Sequence, residues 1–337
     1  MRRTPAVVLL LAVAACSSGT TSSAPSPSPS ARATTSAPTP SGRATTTPAS
    51  ASLRGARWSR GPALPLGVSE TGVAALGTQV HVIGGYVGGH PRSRTHLVLD
   101  ARTGVWQPAA PLPVPADHVG VAALDGKLWT VGGYGDPTEL RSWDPATGRW
   151  TSHRPLPSGR AAGVCVALGG RLHYLGGKSI GVDVSSHLVY DPGADRWSTA
   201  APLPVARDHA AGAVVDGRIY VAAGRPHDLV DAEVYDPATD AWTRLPSLPL
   251  GRSSLAGVSL AGQFVVLGGE HPAEAGVDRE VDAFDPATHR WHELPPLPAG
   301  RQGIGAAVIG NVLYLPGGGP SGGGSEQAAS LFELRLV

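Results

Sequence analysis

The chain has 337 residues, 42% of them apolar, with a formal net charge of +1, 45 glycines and 32 prolines. Near-zero charge excludes the clustered basic face that duplex nucleic acid demands, so no nucleic-acid partner is expected. Glycine and proline at this frequency work against long helices and require many turns.

At the N-terminus, Arg2 and Arg3 precede an apolar run from Ala6 to Ala15. Such a run is too short to span a bilayer, which takes about 20 residues, but it suits a cleavable export signal. It ends in Val13-Ala14-Ala15-Cys16, which resembles the lipobox of bacterial lipoproteins. The resemblance implies a signal over residues 1–16, lipid on Cys16, and a protein anchored to the membrane on its extracytoplasmic face through that lipid alone. An ordinary secretory signal cleaved near Ala15 is the alternative, and both readings export the chain. Residues 17–52 are almost entirely Ser, Thr, Pro and Ala. They carry too little apolar surface to fold and are expected to form a disordered tether. The second cysteine, Cys165, sits in the apolar stretch Gly163–Leu168 and reads as a small buried hydrophobe, leaving a lipidated chain without a disulfide.

From residue 53 onward one pattern repeats. Tryptophan recurs at Trp58, Trp106, Trp150, Trp197, Trp242 and Trp291. Each lies 26 residues before a small-residue doublet: Gly84-Gly85, Gly132-Gly133, Gly176-Gly177, Ala223-Gly224, Gly268-Gly269 and Gly317-Gly318. A Leu-Pro pair begins six residues after every tryptophan, from Leu64 to Leu297. Within a copy, two apolar runs flank a turn pair such as Asp125-Gly126 or Asp216-Gly217, the signal of a tight hairpin. After a loop of variable length comes a third run, such as Leu188-Val189-Tyr190. A turn such as Asp191-Pro192-Gly193 then leads into a fourth run that carries the tryptophan. Four short strands and no helix per copy make one propeller blade.

The doublet, the Asp-Pro turn and the tryptophan together resemble the kelch repeat. The resemblance runs from about residue 57 to the C-terminus and implies an all-β fold over residues 53–337: a six-bladed kelch-type β-propeller with four antiparallel strands per blade. The folded part opens with a lone fourth strand at Trp58 and ends with a third strand near Phe332. The N-terminal strand is therefore expected to complete the last blade and close the ring.

Loops of variable length share one face with the connections between blades, and binding residues favour such loops. Sixteen residues before the doublets stand Arg160, Arg207, Arg252 and Arg301, with Val68 and Ala116 in the other two copies. Two residues further on are Glu70, His118, His209 and Ser254, and Asp117 and Asp208 precede the histidines. The arginines suit either an anion site at the channel mouth or carbonyl groups of the scaffold. The Asp-His pairs suit either acid–base dyads or solvated loops. The fifth variable loop carries Glu270, His271, Glu274, Asp278, Arg279 and Glu280. That spacing matches no calcium or zinc pattern, so no metal and no cofactor is expected.

The leading expectation is a binding module that presents its loop face to a protein, peptide or glycan, without enzymatic activity. An enzyme acting on a sugar acid is the alternative, since the chain also resembles N-acetylneuraminate epimerase in its six kelch blades and exported location. That resemblance implies arginine holding a carboxylate while Glu70, Asp117 or Asp208 moves a proton. A copper site of the galactose oxidase kind would need a cysteine cross-linked to tyrosine, and Cys165 lies in an innermost strand. A structural cell-envelope subunit is the third expectation.

Overall fold

The computed structural model describes residues 53, 55–271 and 276–336. The signal segment, Cys16, the tether and Glu274 lie outside them. Six four-stranded antiparallel sheets follow one another in the chain. The first blade comprises Gly72–Leu76, Gln79–Ile83, His96–Asp100 and Val105–Pro108. The third comprises Val164–Leu168, Arg171–Leu175, His187–Asp191 and Arg196–Ala200. The first strand of every blade lies beside the first strands of both neighbours, so these strands line the axis. The sixth blade takes Ala307–Ile309, Val312–Pro316 and Leu331–Arg335 from the end of the chain and Arg57–Arg60 from its start. Trp58 pairs with Leu334 and Arg60 with Phe332, which closes the ring as the sequence implied. No helix among the described residues is long and apolar enough to cross a membrane.

Burial follows position in the blade. Second strands such as Lys127–Val131 are buried after their first residue, because neighbouring blades cover both faces. Outer strands such as Arg149–Ser152 are exposed except for a half-buried tryptophan. Those indoles explain the most constant feature of the repeat. Each N–H donates to a carbonyl that follows the outer strand of the preceding blade. Trp58 reaches Pro295, Trp106 Pro62, Trp150 Ala110, Trp197 Arg154, Trp242 Ala201 and Trp291 Pro246, all at 2.7–2.9 Å. The repeated leucines fill the seams: Leu112 packs with Ile83 of the first blade and with Leu128 and Trp143 of the second.

The doublets stitch the blades at the backbone. The second member of each donates its N–H to the next blade, as Gly85 does to Ala116 and Gly133 to Arg160, both at 2.8 Å. Both members have positive φ, and a Cβ on Gly132 would lie 2.3 Å from the Arg160 carbonyl oxygen. Glycine relieves both constraints. The exception is Ala223, and there the stitch from Gly224 to Arg252 lengthens to 3.0 Å.

Candidate functional site at the channel mouth

Fourteen residues before each doublet the chain turns sharply at the axis. The six residues there are Glu70, His118, Ala162, His209, Ser254 and Gly303, and all have φ between 50° and 58°. Their backbones form a closed collar. The N–H of each donates to the carbonyl of its counterpart in the preceding blade, from Glu70 to Gly303 and round to Gly303 on Ser254, at 2.7–3.0 Å. Five of the six are not glycine and bear the modest cost of a left-handed conformation, a kind of strain that collects at functional sites.

A second tier stands on the collar. The residue before each collar position forms a bridge with the residue after that blade's doublet: Ser69 with Tyr86, Asp117 with Tyr134, Ala161 with Lys178, Asp208 with Arg225, Ser253 with Glu270 and Gln302 with Gly319. The backbone is repeated six times while the side chains differ from blade to blade. The mouth is thus where repetition in the chain stops.

His118 lies between two carboxylates, its Nδ1 donating to Asp117 Oδ1 at 2.5 Å and its Nε2 3.1 Å from Glu70 Oε2. Burial opposes its protonation, but Glu70 and Asp117 outweigh that and hold the imidazole above its ordinary range. His209 Nδ1 lies 2.9 Å from Asp208 Oδ1, and the two imidazole rings are 4.9 Å apart. Burial, reinforced by charge on His118, pushes His209 down despite Asp208. The two rings meet because the collar residue between them is Ala162. Tyr86 and Tyr134 present their ring edges or faces to His118 at centroid distances of 5.8 and 5.2 Å.

Fixed charges pair around this centre. Arg92 meets Asp117 at 2.8 Å, Lys178 meets Asp208 at 3.0 Å, and Arg225 meets Glu270 at 2.5 Å. Glu270 also accepts from the Ser254 hydroxyl at 3.1 Å, which joins the collar to a larger cavity beside it. That cavity, about 850 Å³, is bordered by Lys178, Asp183, Arg225, His227 and Glu270 from the third, fourth and fifth blades. A two-stranded ribbon of Lys178–Ser179 and Val182–Asp183 forms part of its wall.

Of the two roles open to the arginine series, the contacts are those of the scaffold. Arg160, Arg207, Arg252 and Arg301 are all buried, and none lines the channel mouth. Arg160 donates to the Gly176 and Ser186 carbonyls, and Arg207 to those of Ala223 and Asp231 and to Glu233 at 2.8 Å. Arg252 donates to the Gly268 carbonyl and to Asp282 at 2.7 Å. Arg301 donates to Ser330 and lies over the Phe332 ring. These guanidiniums brace the doublet and the third strand of their own blade. The left-handed turn two residues later explains the difference, for it sends the arginine into the blade and the collar side chain to the axis.

Glu70, His118 and His209, with Asp117 and Asp208 behind them, do come together at the mouth. Sequence reasoning overlooked Tyr86 and Tyr134, although counting one residue past each doublet would have found them. Cys165 is half-buried in an innermost strand, and burial pushes its thiol up to about 12. It stays protonated at neutral pH and is a poor nucleophile.

Comparison with known proteins bears on the fold. Residues 70–269 match the KLHDC2/KLHL20/DRC7 Kelch-repeats domain, and residues 251–298 match the Kelch motif. No curated protein matches the sequence. A solved structure titled "Structure of YjhT" is similar with a TM-score of 0.70 and 17% identity, over 80% of this chain and 95% of that one.

Proposed function

The chain belongs to the kelch-repeat family, and from that premise we propose that it is a binding propeller whose channel mouth takes a small polar ligand of carbohydrate type, carried outside the cell on a lipid anchor at Cys16. The observation that carries this reading is the 850 Å³ cavity beside the collar, with cations and carboxylates from three blades on its rim. A pocket with a few convergent polar groups is the usual form of a small-molecule site. Arg225 supports the reading further, since its guanidinium is partly exposed and faces both the cavity and Ser254. Export and lipidation rest on the apolar run and Cys16 in the sequence.

The test is a glycan and sugar-acid array probed with the purified protein and with Arg225→Ala. Retention of one sugar class, lost at least tenfold in the variant at unchanged thermal stability, is the expected result. A wild-type protein that retains nothing, or a variant that binds equally well, would refute the reading.

The converging Asp117–His118 and Asp208–His209 pairs, with Glu70 beside them, favour a second reading. There the same ligand is a sugar acid on which these groups move protons, and Arg225 replaces the buried arginines as the carboxylate clamp. NMR of anomer interconversion decides this; a rate equal to that in buffer removes it.

A further inference from the structure

Glu70, His118 and His209 come from three blades, yet one donor atom from each lies within 4.8 Å of the others. We propose that these three side chains form a binding site for a divalent transition-metal ion of the zinc type, centred on the propeller axis.

Three further features of the mouth support this. The first is the way the imidazoles are held. In both pairs Nδ1 faces the buried carboxylate of the preceding aspartate, at 2.5 Å for His118 and 2.9 Å for His209. A histidine that ligates through one nitrogen typically gives its other N–H to a carboxylate, which fixes the tautomer and aims the free nitrogen. The Asp-His dipeptide supplies that hydrogen bond at His118, whereas at His209 the same two atoms lie 2.9 Å apart and a small rotation of the ring would complete it. Both aspartate side chains are fully buried, and Lys178 and Arg92 hold them from behind.

The second is charge. Asp117, Asp208 and Glu270 each face a fixed cation, whereas Glu70 meets His118 at 3.1 Å. A divalent ion between Glu70 and the two imidazoles would replace His118 as the group facing that carboxylate, and no lysine or arginine would have to move.

The third is rigidity. The ligands stand on the hydrogen-bonded collar, so their backbones are fixed before an ion arrives. Around a tetrahedral ion with bonds of about 2.0–2.1 Å, ligand atoms sit about 3.4 Å apart. Side-chain rotation closes the remaining gap, and Ala162 leaves room for it. Two histidines and one glutamate leave at least one coordination position open toward the mouth, the arrangement of ions that bind or activate an oxygen ligand rather than only hold a fold. The inference stands apart from the carbohydrate reading, and either can fail without the other.

The full-length purified protein, stripped with chelator, is titrated with Zn²⁺ and followed by calorimetry. One equivalent is expected to bind with micromolar or tighter affinity. His118→Ala and His209→Ala should each weaken it at least tenfold, while His271→Ala, which alters the nearby histidine beside Asp278, should leave it unchanged. Zn²⁺ that binds nowhere, or that survives both axial variants, overturns the proposal. If the alanine variants do not fold, Co²⁺-loaded wild type supplies the readout. Two paramagnetically shifted, exchangeable imidazole N–H resonances support the site, and fewer than two refute it.

Discussion

Arg207 and His209 are two residues apart, as are Arg252 and Ser254, yet one member of each pair is sealed inside a blade and the other reaches the axis. The arginines repeat on four blades and are engaged inside them each time, on carbonyls for Arg160, on carbonyls and a carboxylate for Arg207 and Arg252, and on the Ser330 hydroxyl for Arg301. The collar residues share one backbone geometry and differ in chemistry from blade to blade. In a molecule built of copies, the repeated side chain belongs to the scaffold. Departures from the repeat at equivalent positions mark the place where the molecule meets something else.

Stability measurements can break that comparison. Arg252→Ala strands Asp282 in the interior, and removing one partner of a buried pair costs about 3–5 kcal/mol. Urea unfolding should show a loss of this size, and a loss below about 1 kcal/mol would return Arg252 to the candidate ligand-binding residues.

Acid provides the next largest effect, and it again falls on the scaffold. His81 and His96 touch at 3.0 Å in the first blade, and His173 and His187 at 2.8 Å in the third. Burial, joined for His81 and His187 by the neighbouring histidine, lowers His81 to about 3 and His96, His173 and His187 to about 4. The unfolded chain protonates these residues near 6.5 and so binds more protons between about pH 6.5 and 4. Stability is therefore full above pH 6.5 and falls as pH drops toward 4, by up to about 3 kcal/mol per histidine. Urea midpoints across that range should fall steeply, and His173→Gln should flatten the curve; a flat wild-type curve would refute the assignment.

Trp58→Phe tests the seam at the closing blade. It deletes the N–H that reaches Pro295 and should cost about 1–2 kcal/mol. An unchanged midpoint would show that packing alone holds the seam. Smallest is Tyr134→Phe at the mouth, which should alter stability by less than about 0.5 kcal/mol. A larger loss would make the mouth part of the scaffold and erase the distinction.

Most of the fold was legible because a constant interval needs no knowledge of contacts. The indole, the doublet and the hairpin pairs each answer a local demand for a donor, for positive φ or for a tight turn. Blade number and closure followed from counting. The site was legible only in part. Glu70, His118 and His209 surfaced by counting from the doublets, but the same count left the arginines open between an anion site and the scaffold. Nothing in their spacing says that the chain turns left-handed two residues later and points them away from the channel. The side chain at a turn of this kind is aimed by φ, and non-glycine residues at positive φ leave little trace in a sequence. Tyr86 and Tyr134 stand one residue past their doublets, where the other copies carry Lys178, Arg225, Glu270 and Gly319, so no shared residue type marks the position.

The closed collar has one more consequence. Because its links run through main-chain atoms alone, the backbone ring keeps its span whatever the six positions carry, and their side chains set how much of it stays open. Asn, Asp, His or Gly, which tolerate this backbone, could be exchanged on the same ring. At Gly303, where a Cβ would lie 2.5 Å from a Glu70 carboxylate oxygen, a side chain requires Glu70 to move or change with it. The mouth can be re-lined the way stones are changed in a setting, and a combinatorial library confined to residues 70, 118, 162, 209, 254 and 303 would sample new specificities on an unaltered frame.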